Sequence, residues 1–280
     1  MRPIAALFTF TVRQMLFSRK LWMTLLLLAA PSALIVTIRS VAPPVEDAGE
    51  LWDRYHGSVQ FLLVMVIIPL VCMVYGVGLI GSEVEGHTLA HLITRRMRRA
   101  TVLLVKFAAT ALVLVVLSEL ALAALYACAL AGYDVSSLTG AAPAHAHWSP
   151  GRDLLGYMAT IPAGVVGFLA VFTLIGLLTA QPLALSVFYL IAMEVVMGNV
   201  PTGAQAYTLL HAQRVAMVYA IPELSDLFHH AEISAGLHDR LFPEGATGLP
   251  QLLGVVLAAL VLSIVLVTVR ELMPTKVARE

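Results

Sequence analysis

Few side chains in this sequence could do chemistry, and most of them lie in or beside long apolar runs. His87 and His91 stand four residues apart, a spacing that lets two imidazoles on one helical face hold zinc. Thr88, however, occupies the position where such a site needs a glutamate to act as base, and the metalloprotease reading fails there. His145, His147, His229, His230 and His238 show no ligand spacing and read as scattered loop histidines. Cys72 and Cys128 sit inside apolar runs with no C-x-x-C pattern and read as small packing residues. Gly81-Ser82 is not a nucleophile elbow. Of the three lysines, Lys20, Lys106 and Lys276, none ends a G-x-x-x-x-G-K-[ST] loop that would cradle phosphates. No catalytic residue, no metal and no bound cofactor is therefore expected on this chain. What remains is a pair of carboxylates within apolar runs, Glu119 and Glu194, and a polar, basic segment from Glu83 to Lys106 wedged between two of the longest runs.

Composition identifies the elements that must position these groups. Hydrophobic residues make up 60% of the 280 and charged residues 12%, with a mean hydropathy of +0.90. A soluble domain carries about a quarter charged residues. Continuous rather than alternating apolar runs predict an all-α integral membrane protein. Six spans are expected, near 21–38, 59–80, 102–130, 154–179, 182–197 and 252–269, the fifth being the shortest. The first has a basic leader, and Ser40-Val41-Ala42 is a small-x-small triplet, but its apolar core exceeds the roughly 7–15 residues of a signal peptide. A retained span is expected. The formal net charge is zero, so nothing points to nucleic acid.

Basic residues set the expected orientation. The leader holds Arg2, Arg13, Arg19 and Lys20, the second loop Arg95, Arg96, Arg98 and Arg99, and the tail Arg270, Lys276 and Arg279. The first, third and fifth loops are poorer in them, with Arg39 and Arg54, Arg152, and Arg214 and Arg240. Both termini and the Glu83–Lys106 segment are thus expected in the cytoplasm. Residues 1–20 place Ile4, Leu7, Phe8, Thr11, Met15 and Leu16 near one face, as in a helix lying in the membrane interface. Over residues 81–100, Leu89, Leu92, Ile93 and Met97 form an apolar stripe, with acid at the start and base at the end to suit the helix dipole. A short cytoplasmic helix at the foot of the bundle follows.

By helix rise, Glu119 lies about 20 Å beyond Lys106 and Glu194 about 18 Å beyond Pro182. With this orientation both fall in the outer half of the membrane, where a lipid-facing carboxylate is costly. Two readings stay open. Either carboxyl could line a route through the bundle, with Asn199 adding polarity beside Glu194, or it could be a neutral group hydrogen-bonded between helices. The second suits Glu119 better. The fifth loop, 199–250, is too apolar for a solvated linker. Tyr207, Leu209, Leu210, Val215, Met217, Val218 and Tyr219 predict short helices that dip into the outer leaflet or pack over the bundle.

From Glu83 to Phe107 the sequence resembles, without a gap, the signature of type-2 ATP-binding-cassette (ABC) export permeases. Glu83, Glu85, Thr88, Leu89, Leu92, Ile93, Thr94, Arg99, Leu103, Leu104 and Lys106 match it. His87 replaces a glycine, Arg96 a proline and Val105 a second glycine. The leader Arg13–Arg19 and the stretch Ile221–Phe228 are similar to that family's basic first helix and to a Pro-containing segment before its last span. The resemblance implies one transmembrane permease domain over 1–280, and the scarcity of lysine, three of 17 basic residues, points to a GC-rich bacterial genome and so to a bacterial inner membrane. It also implies a cytoplasmic coupling helix between spans 2 and 3 that docks, through Glu83, Glu85, His87, Thr88 and Arg95, on a separate ABC ATPase subunit carrying ATP and Mg. A second permease copy or paralogue is the other implied partner, beside the lipid membrane. The competing readings are a proton-coupled secondary transporter using Glu119 and Glu194, and a membrane scaffold without transport. The substrate is not legible in the sequence.

Overall fold

The computed structural model describes residues 2–41, 48–85, 98–133, 149–179, 181–199, 203–224 and 248–269. Among these residues there are helices and short turns and no strand. The helices are α1 (Arg2–Leu16), α2 (Arg19–Val41), α3 (Ala48–Gly57), a π-helical stretch (Ser58–Ile67), α4 (Ile68–Glu85), α5 (Arg99–Leu130), α6 (Pro150–Leu178), α7 (Pro182–Tyr189), a second π-helical stretch (Leu190–Met197), a 3-10 turn (Gly203–Tyr207), α8 (Leu209–Ala220) and α9 (Leu249–Val269). Among the described residues five continuous segments are long and apolar enough to cross a membrane: Arg19–Val41, Gly49–Leu79, Arg99–Leu130, Pro150–Leu178 and Leu249–Val269. The chain is a helical, multi-pass membrane protein. Pro182–Met197, where a fifth span was expected, is apolar and helical but shorter than the roughly 20 residues a span needs.

Helix α6 is the hub and packs against α4, α5, α8 and α9. Lipid supplies no hydrophobic drive between spans, so close approach of backbones has to hold them together. Glycines permit it. A Cβ on Gly176 would lie 2.9 Å from the Val77 carbonyl oxygen, and one on Gly76 would lie 2.8 Å from Phe172 Cβ. Each glycine thus opens a slot on one helix for the other. Beside this contact Phe172 is fully buried and stacks on Phe168, while Trp52, Tyr55 and Tyr157 are fully buried toward the other end of α6. Three hydroxyls inside the spans donate back along their own helices, Thr24 to Lys20, Thr173 to Leu169 and Ser263 to Ala259, which keeps those polar hydrogens from hydrocarbon.

The bundle has two distinct ends. At one, α1 breaks at Phe17-Ser18 and turns into α2, lying against α5. Its buried stripe is Leu7, Thr11 and Met15, whereas Ile4 and Leu16, expected on the same face, are exposed together with Phe10 and Phe17. Here the first turns of α5 pack on α1, and Tyr75, Gly78 and Leu79 of α4 line a cleft beside it. At the other end the Arg39 guanidinium, at the close of α2, donates to the Cys128, Ala129 and Ala131 carbonyls at the close of α5 and stacks over Tyr133. Those carbonyls are ones that a helix C-terminus leaves unsatisfied. Helix α8 lies at this second end, and Gly248 (φ +66°) seats the start of α9 directly on the α8 backbone at Ala212.

Candidate functional site

Two buried polar assemblies occupy the α8 end. The first is built around Glu194, in the π-helical stretch after α7. Its carboxylate is 1% exposed and accepts three hydrogen bonds: from the Tyr189 hydroxyl, from the Leu209 amide at 3.2 Å and from the Leu210 amide at 2.9 Å. Leu209 and Leu210 open α8, whose first turn carries no acid of its own. Glu194 therefore supplies, from another element, the negative charge that a helix N-terminus favours, and it satisfies two of the amides left over there. Thr208 completes the cap by accepting from the His211 amide at 3.1 Å and donating to the Gln205 carbonyl.

The same knot closes the other side of the turn. The Gly198 carbonyl accepts from Arg214 at 2.9 Å and from Gln205 at 3.1 Å. Asn199 accepts from Arg214 at 2.8 Å and donates to the Val195 carbonyl at 2.7 Å. Arg214 is buried, and its contacts are to the end of the helix that carries Glu194. The apolar fifth loop is thus, over its described part, a helix set into the bundle: every residue from Leu209 to Met217 is buried. Of the two sequence expectations for this loop, packing against the bundle describes α8.

The second assembly was not legible in the sequence. His56, at the end of α3, is fully buried and lies between two residues of α6, with Nδ1 2.7 Å from the Tyr157 hydroxyl and Nε2 3.0 Å from Asp153 Oδ2. A neutral imidazole fits both, with Nε2–H donating to the carboxylate and Nδ1 accepting from the tyrosine. Gln60 reaches Tyr157 at 3.5 Å and the Met217 sulfur of α8 at 3.3 Å, so the cluster ties α3, the first π-helical stretch, α6 and α8 together. Trp52 packs on His56 with ring centroids 4.4 Å apart, and Tyr55 meets Tyr126 and Tyr157 edge-on. Nothing in this cluster is open to a substrate-sized molecule, and its chemistry is that of a clasp. The only sequence signal was an acid and a histidine at the starts of two spans on the same side.

Glu119, on α5, stands apart from both assemblies. Both of its carboxylate oxygens are buried without a hydrogen-bond partner among the described residues. Glu194 and Asn199 are brought together; Glu119 does not join them. Glu83 and Glu85 lie in the last turn of α4, and their side chains fall outside the described residues. His87, Thr88 and Arg95 lie outside them altogether, as do His145, His147, His229, His230 and His238. Among the described residues no group of three metal-ligating side chains converges. No protein-family model matches the sequence, and no curated protein matches it.

Proposed function

We propose that this chain is the permease subunit of an ATP-driven ABC transporter, an exporter by its resemblance. The observation that carries the reading is the Glu83–Phe107 segment, whose acidic start and basic end fit the type-2 signature over about 25 residues. The helices flanking that segment support it. Helix α4 runs to Glu85 and α5 starts at Arg99; the two helices pack on each other and both line the cleft beside α1, so the described ends that residues 86–97 join lie at the α1 end of the bundle. A subunit that closes on ATP and pushes there would move α4 and α5, and through the glycine contacts of α4 it would move α6.

In this reading the termini and the segment are cytoplasmic, Pro182–Met197 is the fifth and shortest of six membrane elements, and two bundles form the transport core. ATP and Mg are held by a separate nucleotide-binding subunit docked on Glu83, Glu85, His87, Thr88 and Arg95. Glu194 and Asn199 shape the outer end of the route by holding α8 in place rather than by touching cargo. The proton-coupled alternative would need Glu194 to release three hydrogen bonds at each turnover.

The test is affinity purification of the intact chain from its own cells, followed by identification of what comes with it. An ABC ATPase should copurify at a fixed ratio. Reversing charge at Glu83 and Glu85 together should release it, or uncouple its hydrolysis from transport, while the bundle stays folded. Recovery of the chain without any ATPase, or full ATPase binding and transport by the double mutant, would overturn the proposal.

A further inference from the structure

The α1 end of the bundle holds a cleft of about 430 Å³ between α1, α2, α4 and α5. Its lining includes Arg19, Lys20 and Lys106, and no carboxylate is among the described residues that line it. Two of the three lysines in the whole sequence therefore face one cleft. They reach it from different helices. Lys106 is 6% exposed, on the second turn of α5, and Lys20 folds across Gly78 of α4, where its Nζ lies 3.5 Å from the position a Cβ would take. Gln14 and Tyr75 add polar groups to the same wall.

The depth of the cleft follows from its surroundings. Phe17, Trp22 and Met23, on either side of Arg19 and Lys20, are 75% exposed or more, and so is Leu26 one turn further along α2. Exposed tryptophan and phenylalanine beside cations mark the level where headgroups meet acyl chains. A cavity at that level with cationic walls selects an anion attached to an apolar tail. A free inorganic anion would gain nothing from the apolar collar around the opening.

We propose that this cleft is a binding site for the phosphoryl headgroup of an anionic lipid, gripped by Lys20, Arg19 and Lys106. The proposal does not rest on the transport reading, and a scaffold with this bundle would carry the same site. Lys106 and Gly78 already have partners of their own, and the headgroup adds to those contacts.

Native mass spectrometry of the purified chain, exchanged into detergent with phosphatidylglycerol or phosphatidylcholine, tests it. The wild type should retain one phosphatidylglycerol in preference to phosphatidylcholine. Lys20→Gln should lower that retention about fivefold, the contribution of one basic side chain near an anionic headgroup. Gly78→Leu keeps every charge and fills the cleft, and it should bring retention down to the phosphatidylcholine level. Equal retention of the two lipids by the wild type would overturn the proposal. So would undiminished selectivity in Gly78→Leu, which would mean diffuse attraction without a site. Displacement of phosphatidylglycerol by equimolar inorganic phosphate would reassign the cleft to a free anion. Should Gly78→Leu fail to fold, Lys20→Gln, at an exposed position, decides alone.

Discussion

The two carboxylates inside apolar segments look alike in sequence and differ in every contact. Glu194 uses both oxygens on three donors, two of them backbone amides at the start of α8. Glutamine there would keep one acceptor and turn an NH2 group toward an amide N–H. Glu194→Gln should therefore lower the melting temperature, by an amount equivalent to about 1–3 kcal/mol. An unchanged melting temperature in the purified variant would show that the cap contributes nothing. Glu119 is the converse case, since its oxygens are buried with no hydrogen-bond partner among the described residues. Glu119→Met should raise the melting temperature, because a buried unsatisfied polar group costs about 1–3 kcal/mol. A drop would mean that the carboxyl has a partner. The sequence could not separate the two, because the bonds to Glu194 span 15 and 16 residues and run to main-chain atoms, which carry no side-chain signature.

At the scale of helices the span positions were largely readable. Segments of apolar residues long enough to cross a bilayer announce themselves by length, and the observed limits of α2, α5, α6 and α9 lie close to the expected ones. Facing was not readable. Periodicity placed Ile4 and Leu16 of α1 near one face with Met15, yet Met15 is buried and the other two are exposed. In lipid an outward apolar side chain carries no penalty, so the moment that orients a helix in water loses its force. The π-helical geometry of Ser58–Ile67 and Leu190–Met197 was equally hidden, as an apolar run can adopt either hydrogen-bond pattern. The packing glycines are where helix-scale stability should concentrate. Gly176→Val should destabilise the bundle by about 1–3 kcal/mol, because the new side chain meets the Val77 backbone. Gly254→Ala, where nothing lies within 4 Å, should be neutral or slightly stabilising. Thermal denaturation of both variants in one detergent checks the pair. Equal effects would mean that the α4–α6 contact is not close-packed.

For the molecule as a whole, composition was sufficient for class, and local charge gave a definite orientation to test. With the basic leader and the Arg95–Arg99 cluster inside, a cysteine at Gly140 should label from outside intact cells and one at Thr94 should not. The opposite pattern would invert the bundle and remove the docking proposal with it. The two ends also differ in character. The α1 end gathers cations around an open cleft, whereas the α8 end is closed by neutral and paired polar groups. That asymmetry puts the proposed lipid site at the first end and structural locking at the second.

The cap on α8 has a mechanical consequence. Glu194 and Arg214 join the same two strokes of chain from opposite sides, one holding the start of α8 and the other gripping the end of the helix that precedes it. The two contacts thus clasp the described ends on either side of the turn, as a buckle rather than a hinge. Any force that tilts Pro182–Met197 is transmitted to α8 without slack, and the pair would rock as one lever with its fulcrum where Gly248 seats α9. Amide exchange would register this as a shared rate: the hydrogens on Leu209 and Leu210 should leave in step with one another and with that of Arg214, all waiting for a single unbuckling.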